Sequence, residues 1–175
     1  MSYPANGGLD GHRRSLADNP DSFSSDRDRT CQNWCNEAWK YVRVSSSLRR
    51  GETIPILRQM ADMVWDAQGG RPLFQFMGNR DLAMSWNRPQ DGERNYIRYE
   101  IGHLCPRLAG GDSHPNNLSF QSSRCNQHIQ SSLNIGEVMV YFENVIEVQD
   151  RLNTLRSLHD SLEWNDLLSQ LNLAD

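Results

Sequence analysis

The segment YEIGHLCPRLAGGDSHPNNLSFQSSRCNQHIQSS, residues 99–132, narrows most what this chain can become. Tyr96–Leu104 and Leu118–Gln121 read as strands, and Gly110-Gly111 with Pro115 turn the chain between them. A helix is expected to start at Ser122 or Ser123. The product is a β-hairpin followed by a helix, with one polar residue of the right kind on each piece.

Both flanks read as helical. Asp28-Arg29-Thr30 leads into a stretch holding Trp34, Ala38, Trp39, Tyr41 and Val42, broken by Ser45-Ser46-Ser47 and Gly51. Thr53 looks like the N-cap of a second helix with Pro55 in its first turn, where a missing N–H costs nothing. Ile56, Met60, Met63 and Val64 follow at helical spacing, and Gly69-Gly70 ends the run. Short strands are expected at Pro72–Phe76 and Leu82–Trp86, separated by Gly78-Asn79 and followed by a loop over Asn87–Arg94. From about Gly136 the chain reads as helical, with Val138, Leu152, Leu155, Leu158, Leu162, Leu167, Leu168 and Leu171 as its apolar positions. The expected class is α+β: a hairpin-plus-helix core at about 70–132, flanked by N-terminal and C-terminal helices, the latter at about 133–175. At 175 residues and 37% hydrophobic, the chain can bury one core. Residues 1–28, rich in Asp, Ser, Gly and Asn without periodicity, read as a disordered tail, and 29–175 as one domain.

Several classes drop out. No apolar run is long enough to span a bilayer, and Met1–Ser25 holds no hydrophobic signal region, so no membrane association and a cytoplasmic location are expected, in the host if the gene is a phage's. Net charge is −4, unevenly spread. Residues 36–130 hold twelve Lys and Arg against nine acids, whereas 131–175 hold two Arg against eight acids. Lys40 is the single lysine, and Arg forks onto phosphate oxygens as Lys cannot. The four cysteines (Cys31, Cys35, Cys105, Cys125) form no disulfide framework and no CxxC pair, so free thiols and no structural zinc are expected.

The polar residues of the hairpin suit one chemistry. Hydrolysis of a phosphodiester needs a base for water, and imidazole near neutral pH serves. It also needs a cation against the developing charge. His103, Asn117 and Asn126 stand on the first strand, the second strand and the helix respectively. Their spacing resembles that of HNH endonucleases, within the ββα-metal or His-Me finger superfamily. Pro106, Gly110-Gly111, Asn117-Leu118 and Cys125-Asn126 support the match, and AQGGRPLFQFMG (67–78) is similar to that family's lead-in. The likeness covers about residues 53–132. It implies a metal-dependent nuclease in which His103 is the base, Asn117 orients it by a strand-to-strand hydrogen bond, and Asn126 binds Mg²⁺ or Mn²⁺. Two features depart from the family. Gly102 stands where many members place a metal-binding Asp, while Glu-Ile-Gly-His resembles the Asp-Arg-Gly-His of non-specific nucleases and makes Glu100 a candidate metal contact. Pro72 and Ser122 stand where zinc-binding cysteines would be. Arg107, Arg124 and His128 are candidates for holding nucleic acid.

The expected activity is DNA endonuclease. Two rivals remain open: a broad nuclease or toxin that also cuts RNA, and a catalytically dead scaffold that binds DNA. The leucine-rich C-terminal helices either cap the core or pair two subunits as a homodimer.

Overall fold

In the computed structural model, residues 20–73, 84–85, 97–122, 126, 133–140 and 146–173 are described. Helix α1 runs Pro20–Ser45, α2 Arg50–Ala67, α3 Ile135–Met139, α4 Ile146–His159 and α5 Leu162–Gln170. Strands are β1 Met84–Ser85, β2 Ile97–His103 and β3 Leu118–Ser122, in the order β1-β2-β3. The class is α+β, as expected.

α1 buries Cys31, Trp34, Cys35, Ala38 and Val42, a stripe at helical spacing that packs against Leu57, Met60, Ala61 and Val64 of α2. Its start differs from expectation. The helix begins at Pro20, inside the stretch read as disordered, and Arg27 and Asp28 explain part of this. Arg27 bonds Asp62 at 3.2 Å and pairs with Asp66, and Asp28 pairs with Arg58, so α2 offers partners that a local reading cannot see. α2 also starts earlier. Its N-cap is Arg49, whose backbone N–H donates to Glu52 at 2.9 Å, and Gly51 lies inside the helix. Thr53 is not a cap but a buried residue of the second turn, and its hydroxyl donates to the Arg49 carbonyl at 3.0 Å.

Beyond α2 the chain serves the edge of β3. Gln68 is buried; its Oε1 accepts from the Phe120 N–H at 2.9 Å and its Nε2 donates to the Phe120 carbonyl at 2.8 Å. A side-chain amide thus stands where a neighbouring strand would. The Leu73 N–H also donates to Phe120, at 2.9 Å, yet Pro72 and Leu73 are not strand residues; the rest of Pro72–Phe76 lies outside the described residues. Gly70 has φ +66°, and a Cβ there would lie 3.2 Å from the Trp65 indole, so the turn needs glycine. These contacts account physically for Gln-Gly-Gly at 68–70. Gln68→Leu fills similar volume but strands a buried N–H, and a loss of about 1–3 kcal/mol is expected. Urea unfolding measures it, and an unchanged midpoint would remove Gln68 from this role.

β2 and β3 pair antiparallel from Tyr99 opposite Ser122 to His103 opposite Leu118. β1 runs parallel to the start of β2. One face of the hairpin carries Leu118 and Phe120 into the helical core, where Phe120 meets Trp65 edge-on at 5.5 Å. Asn126 is helical, and the remainder of the helix expected after Ser122 lies outside the described residues.

The C-terminal region is helical as expected, with three described helices. Asn134 caps α3, its Oδ1 accepting from the Glu137 N–H at 3.0 Å. Ser161 caps α5 after the turn at Asp160, accepting from the Trp164 N–H at 3.3 Å. Leu152, Leu155, Trp164, Leu167, Leu168 and Leu171 are buried in the chain's own core, leaving Leu162 exposed. Among the described residues no helix is long and apolar enough to cross a membrane.

Candidate functional site

His103 ends β2, and the loop that follows returns to β3 through two short 3₁₀ turns, Arg107–Ala109 and Pro115–Asn117. Asn117 holds this loop. Its Oδ1 accepts from the Cys105 N–H at 2.7 Å, and its Nδ2 donates to the carbonyls of Cys105 at 3.0 Å and Asp112 at 2.7 Å. All three bonds go to backbone. Asn117 therefore shapes the chain just beyond His103 and does not touch the imidazole, where a bond to the ring itself was expected. Gly111 lies under the same clamp, since a Cβ there would fall 1.8 Å from the Cys105 carbonyl oxygen.

Side chains alternate along a strand, so His103 shares the face of Ile101, toward α1. There it meets Glu37. His103 Nε2 lies 3.4 Å from Ser113 Oγ and 3.7 Å from Glu37 Oε1. Ser113 Oγ is 2.7 Å from Glu37 Oε1, Arg107 Nη2 donates to both Glu37 and Ser113, and Lys40 donates to Glu37 Oε2 at 2.6 Å. Burial pushes the Glu37 carboxyl up, but hydrogen bonds from Lys40 and Ser113 and the charges of Lys40 and Arg107 outweigh it. The net shift is below the usual carboxylate range. Glu37 is thus an ionised acceptor.

The proton arrangement follows from donor and acceptor capacity. Ser113 gives its one hydrogen to the carboxylate, and Arg107 donates to Ser113. What Ser113 and Glu37 turn toward His103 is then acceptor oxygen on both sides, so these two contacts favour the tautomer with the ring hydrogen on Nε2. That tautomer leaves the lone pair on Nδ1. Burial lowers the His103 pKa below its ordinary value; Glu37 opposes this, while Arg107 and Lys40 reinforce it. The ring is neutral near pH 7. A serine-hydrolase triad needs the serine to give its hydrogen to the imidazole and the carboxylate to sit on the other ring nitrogen. Here Ser113 and Glu37 meet the same nitrogen, so Ser113 is not arranged as a nucleophile.

The other face of the hairpin holds Glu100, Gly102, Ser119 and Gln121. Asn126 Nδ2 donates to Glu100 Oε2 at 3.0 Å, which brings these two candidate ligands together. Gln121 is buried and folds over Gly102, where a Cβ would lie 2.1 Å from its carboxamide carbon. The space beside Gly102 is therefore filled by an amide from the neighbouring strand. Gln121 Nε2 donates to Ser119 at 3.1 Å, and its Oε1 is buried with no hydrogen-bond partner among the described residues. A carboxylate and two amide side chains on one face offer the hard oxygens that Mg²⁺ or Mn²⁺ takes. No group of three or more His, Cys, Asp or Glu is gathered for a metal among the described residues. Strand alternation sends Glu100 and His103 to opposite faces, so the structure forms two clusters where one constellation was expected.

Arg124, His128 and Cys125 lie outside the described residues. Cys31, Cys35 and Cys105 are free; the first two are buried in the core, and burial pushes their thiols up to about 12. Glu37, Lys40 and Ser113 were not singled out from the sequence. Glu37 lies 66 positions from His103, and no local pattern joins them. In comparisons with known proteins, the chain matches no family model, no curated protein and no solved structure.

Proposed function

We propose that this protein is a metal-dependent endonuclease acting on DNA, with His103 as general base. The observation that carries this reading is the imidazole at the end of β2, its Nε2 turned to Ser113 and Glu37, with the cationic Arg107 and Lys40 gathered on that same carboxylate. Among the described residues Arg107 meets Glu37 and Ser113 through Nη2, and its Nε and Nη1 are the donors it would turn to a phosphate oxygen. In the reaction, Nδ1 takes a proton from water as its oxygen attacks phosphorus and the 3′ oxygen leaves. The imidazolium so formed keeps its Nε2–H toward Glu37, whose charge stabilises it. Glu100 and Asn126 would hold the divalent cation, with Gln121 Oε1 on the same face. When bound, that ion neutralises charge on the phosphate.

One observation favours a second reading. The Glu100–Asn126 pair and His103 face opposite ways, which suits a scaffold of the same ancestry that binds DNA without cutting it.

Supercoiled plasmid incubated with Mg²⁺, Mn²⁺ or EDTA separates the two. Cleavage abolished by EDTA supports the nuclease. DNA retention without cleavage in either metal supports the scaffold, and equal cutting of RNA points to a broad nuclease. Asn126→Ala is expected to lose metal-dependent cutting, with partial recovery in excess Mn²⁺. Asn126→Asp is expected to be milder, since it keeps an oxygen there and the cation screens its new neighbour Glu100. Normal cutting by both variants at low Mg²⁺ removes Asn126 from the metal. Because the C-terminal leucines are largely spent in the chain's own core, we propose a monomer, for which nicked circles come first.

A further inference from the structure

We propose that Glu37, acting together with Ser113, is the positioning residue that selects the Nε2–H tautomer of His103 and so makes Nδ1 the basic nitrogen. This rests on the nuclease reading only for its kinetic consequence; the tautomer itself is a property of the resting protein.

The geometry is specific. Glu37 comes from the middle of α1, a helix outside the stretch that resembles HNH nucleases, and its side chain is only 16% exposed. Buried acids are rare unless paired, and this one collects Lys40, Arg107, Ser113 and the edge of His103. Oε2 is held by Lys40, while Oε1 faces Ser113, Arg107 and the imidazole together. A carboxylate held on one side by Lys40 and on the other by Arg107 cannot turn away from the ring without breaking an ion pair. Ser113, nearly fully buried, relays the same polarity, because a hydroxyl that donates to a carboxylate presents only lone pairs elsewhere. Two acceptors at one ring nitrogen disfavour the alternative tautomer, whose Nε2 lone pair would face them. Asn117 cannot serve this purpose, since its three bonds are spent on backbone. The loop clamp and the ring clamp are therefore different residues on different elements. Among the described residues, charged groups that act on the ring are Glu37 and Lys40 from α1, and Arg107 and Asp112 from the loop.

Long-range ¹H–¹⁵N correlation spectra of the imidazole in the full chain read the tautomer without reference to activity. The wild type is expected to show the hydrogen on Nε2 of His103. Glu37→Gln replaces an obligate acceptor with a group that can also donate, and is expected to give a tautomer mixture and a lower His103 pKa. Ser113→Ala tests the relay separately and keeps the test open if Glu37→Gln folds poorly; it is expected to weaken the same preference. In plasmid cleavage, Glu37→Gln is expected to fall at least about 10- to 100-fold, the cost of losing a partner that orients a metal-binding imidazole. Its metal requirement stays unchanged, and Glu37→Asp partly rescues it. A Nδ1–H tautomer in the wild type, or the wild-type tautomer and pKa in both variants, overturns the proposal. If the tautomer shifts in a protein that cuts nothing, the positioning role stands and the nuclease reading fails.

Discussion

His103→Ala is expected to lower plasmid cleavage about 10²- to 10⁴-fold, the usual cost of removing a general base. The fold survives because the imidazole is a polar end of β2 rather than part of the apolar core, and Glu37 keeps Lys40, Arg107 and Ser113 after the ring is gone. Circular dichroism and melting temperature should therefore match the wild type, and DNA retention on a gel should persist. Wild-type cutting by this variant would end the proposal that His103 is the base. A comparison with Asn126→Ala adds information that neither variant holds alone. Asn126 bonds Glu100, which strand alternation sends to the face of β2 opposite His103. Loss of activity in both variants requires that one phosphate be reached from both clusters, whereas loss in His103→Ala alone leaves the Glu100–Asn126 pair as a structural contact.

Trp164→Ala is expected to be the most damaging change to stability, at about 3–5 kcal/mol for a fully buried tryptophan. That is a large share of the total for a domain, roughly 5–15 kcal/mol. Three contacts fail together. Trp164 meets Trp34 of α1 edge-on at 6.4 Å, His159 lies against it at 5.0 Å, and its Nε1–H donates to Asn116 Oδ1 at 2.6 Å. The last bond links α5 to the residue beside Asn117, so the C-terminal helix steadies the loop that follows His103. Trp164→Phe keeps most of the packing but leaves Asn116 without its donor. It is expected to cost less in urea unfolding than Trp164→Ala while still loosening the loop, which hydrogen exchange at Cys105 and Asn117 would report. A midpoint within about 0.5 kcal/mol of wild type for Trp164→Ala, the scale of an ordinary surface change, would rule out this anchoring role.

Much of the local structure could be read from the chain because its causes are local. Periodicity along α1 and α2 is set by which residues share a face three or four positions apart, and Trp34, Ala38, Met60 and Val64 are buried on that pattern. The hairpin strands follow from aromatic and aliphatic runs broken by Gly110-Gly111 and Pro115, and Ile97–His103 and Leu118–Ser122 lie close to where that reading puts them. The start of α1 was not legible in this way, because Arg27 and Asp28 find their partners on another helix. The start of α2 escaped for a subtler reason. Arg49 has no capping side-chain oxygen of its own, so Glu52 reaches back to the backbone, and Thr53 looked the better cap.

The candidate site divides along the same line. Residue type and spacing suffice to single out His103, Asn117, Glu100 and Asn126, because each chemistry admits few side chains. Which of them meet is a different matter. Strand alternation with the observed register parts His103 from Glu100, a buried Gln121 fills the space beside Gly102, and Asn117 spends its amide on backbone. Glu37 reaches His103 only because α1 packs against the hairpin face that carries Ile101 and Phe120. Hydrogen bonds and charges act over a few ångströms, and only packing decides which residues, 66 positions apart in sequence, come within that range.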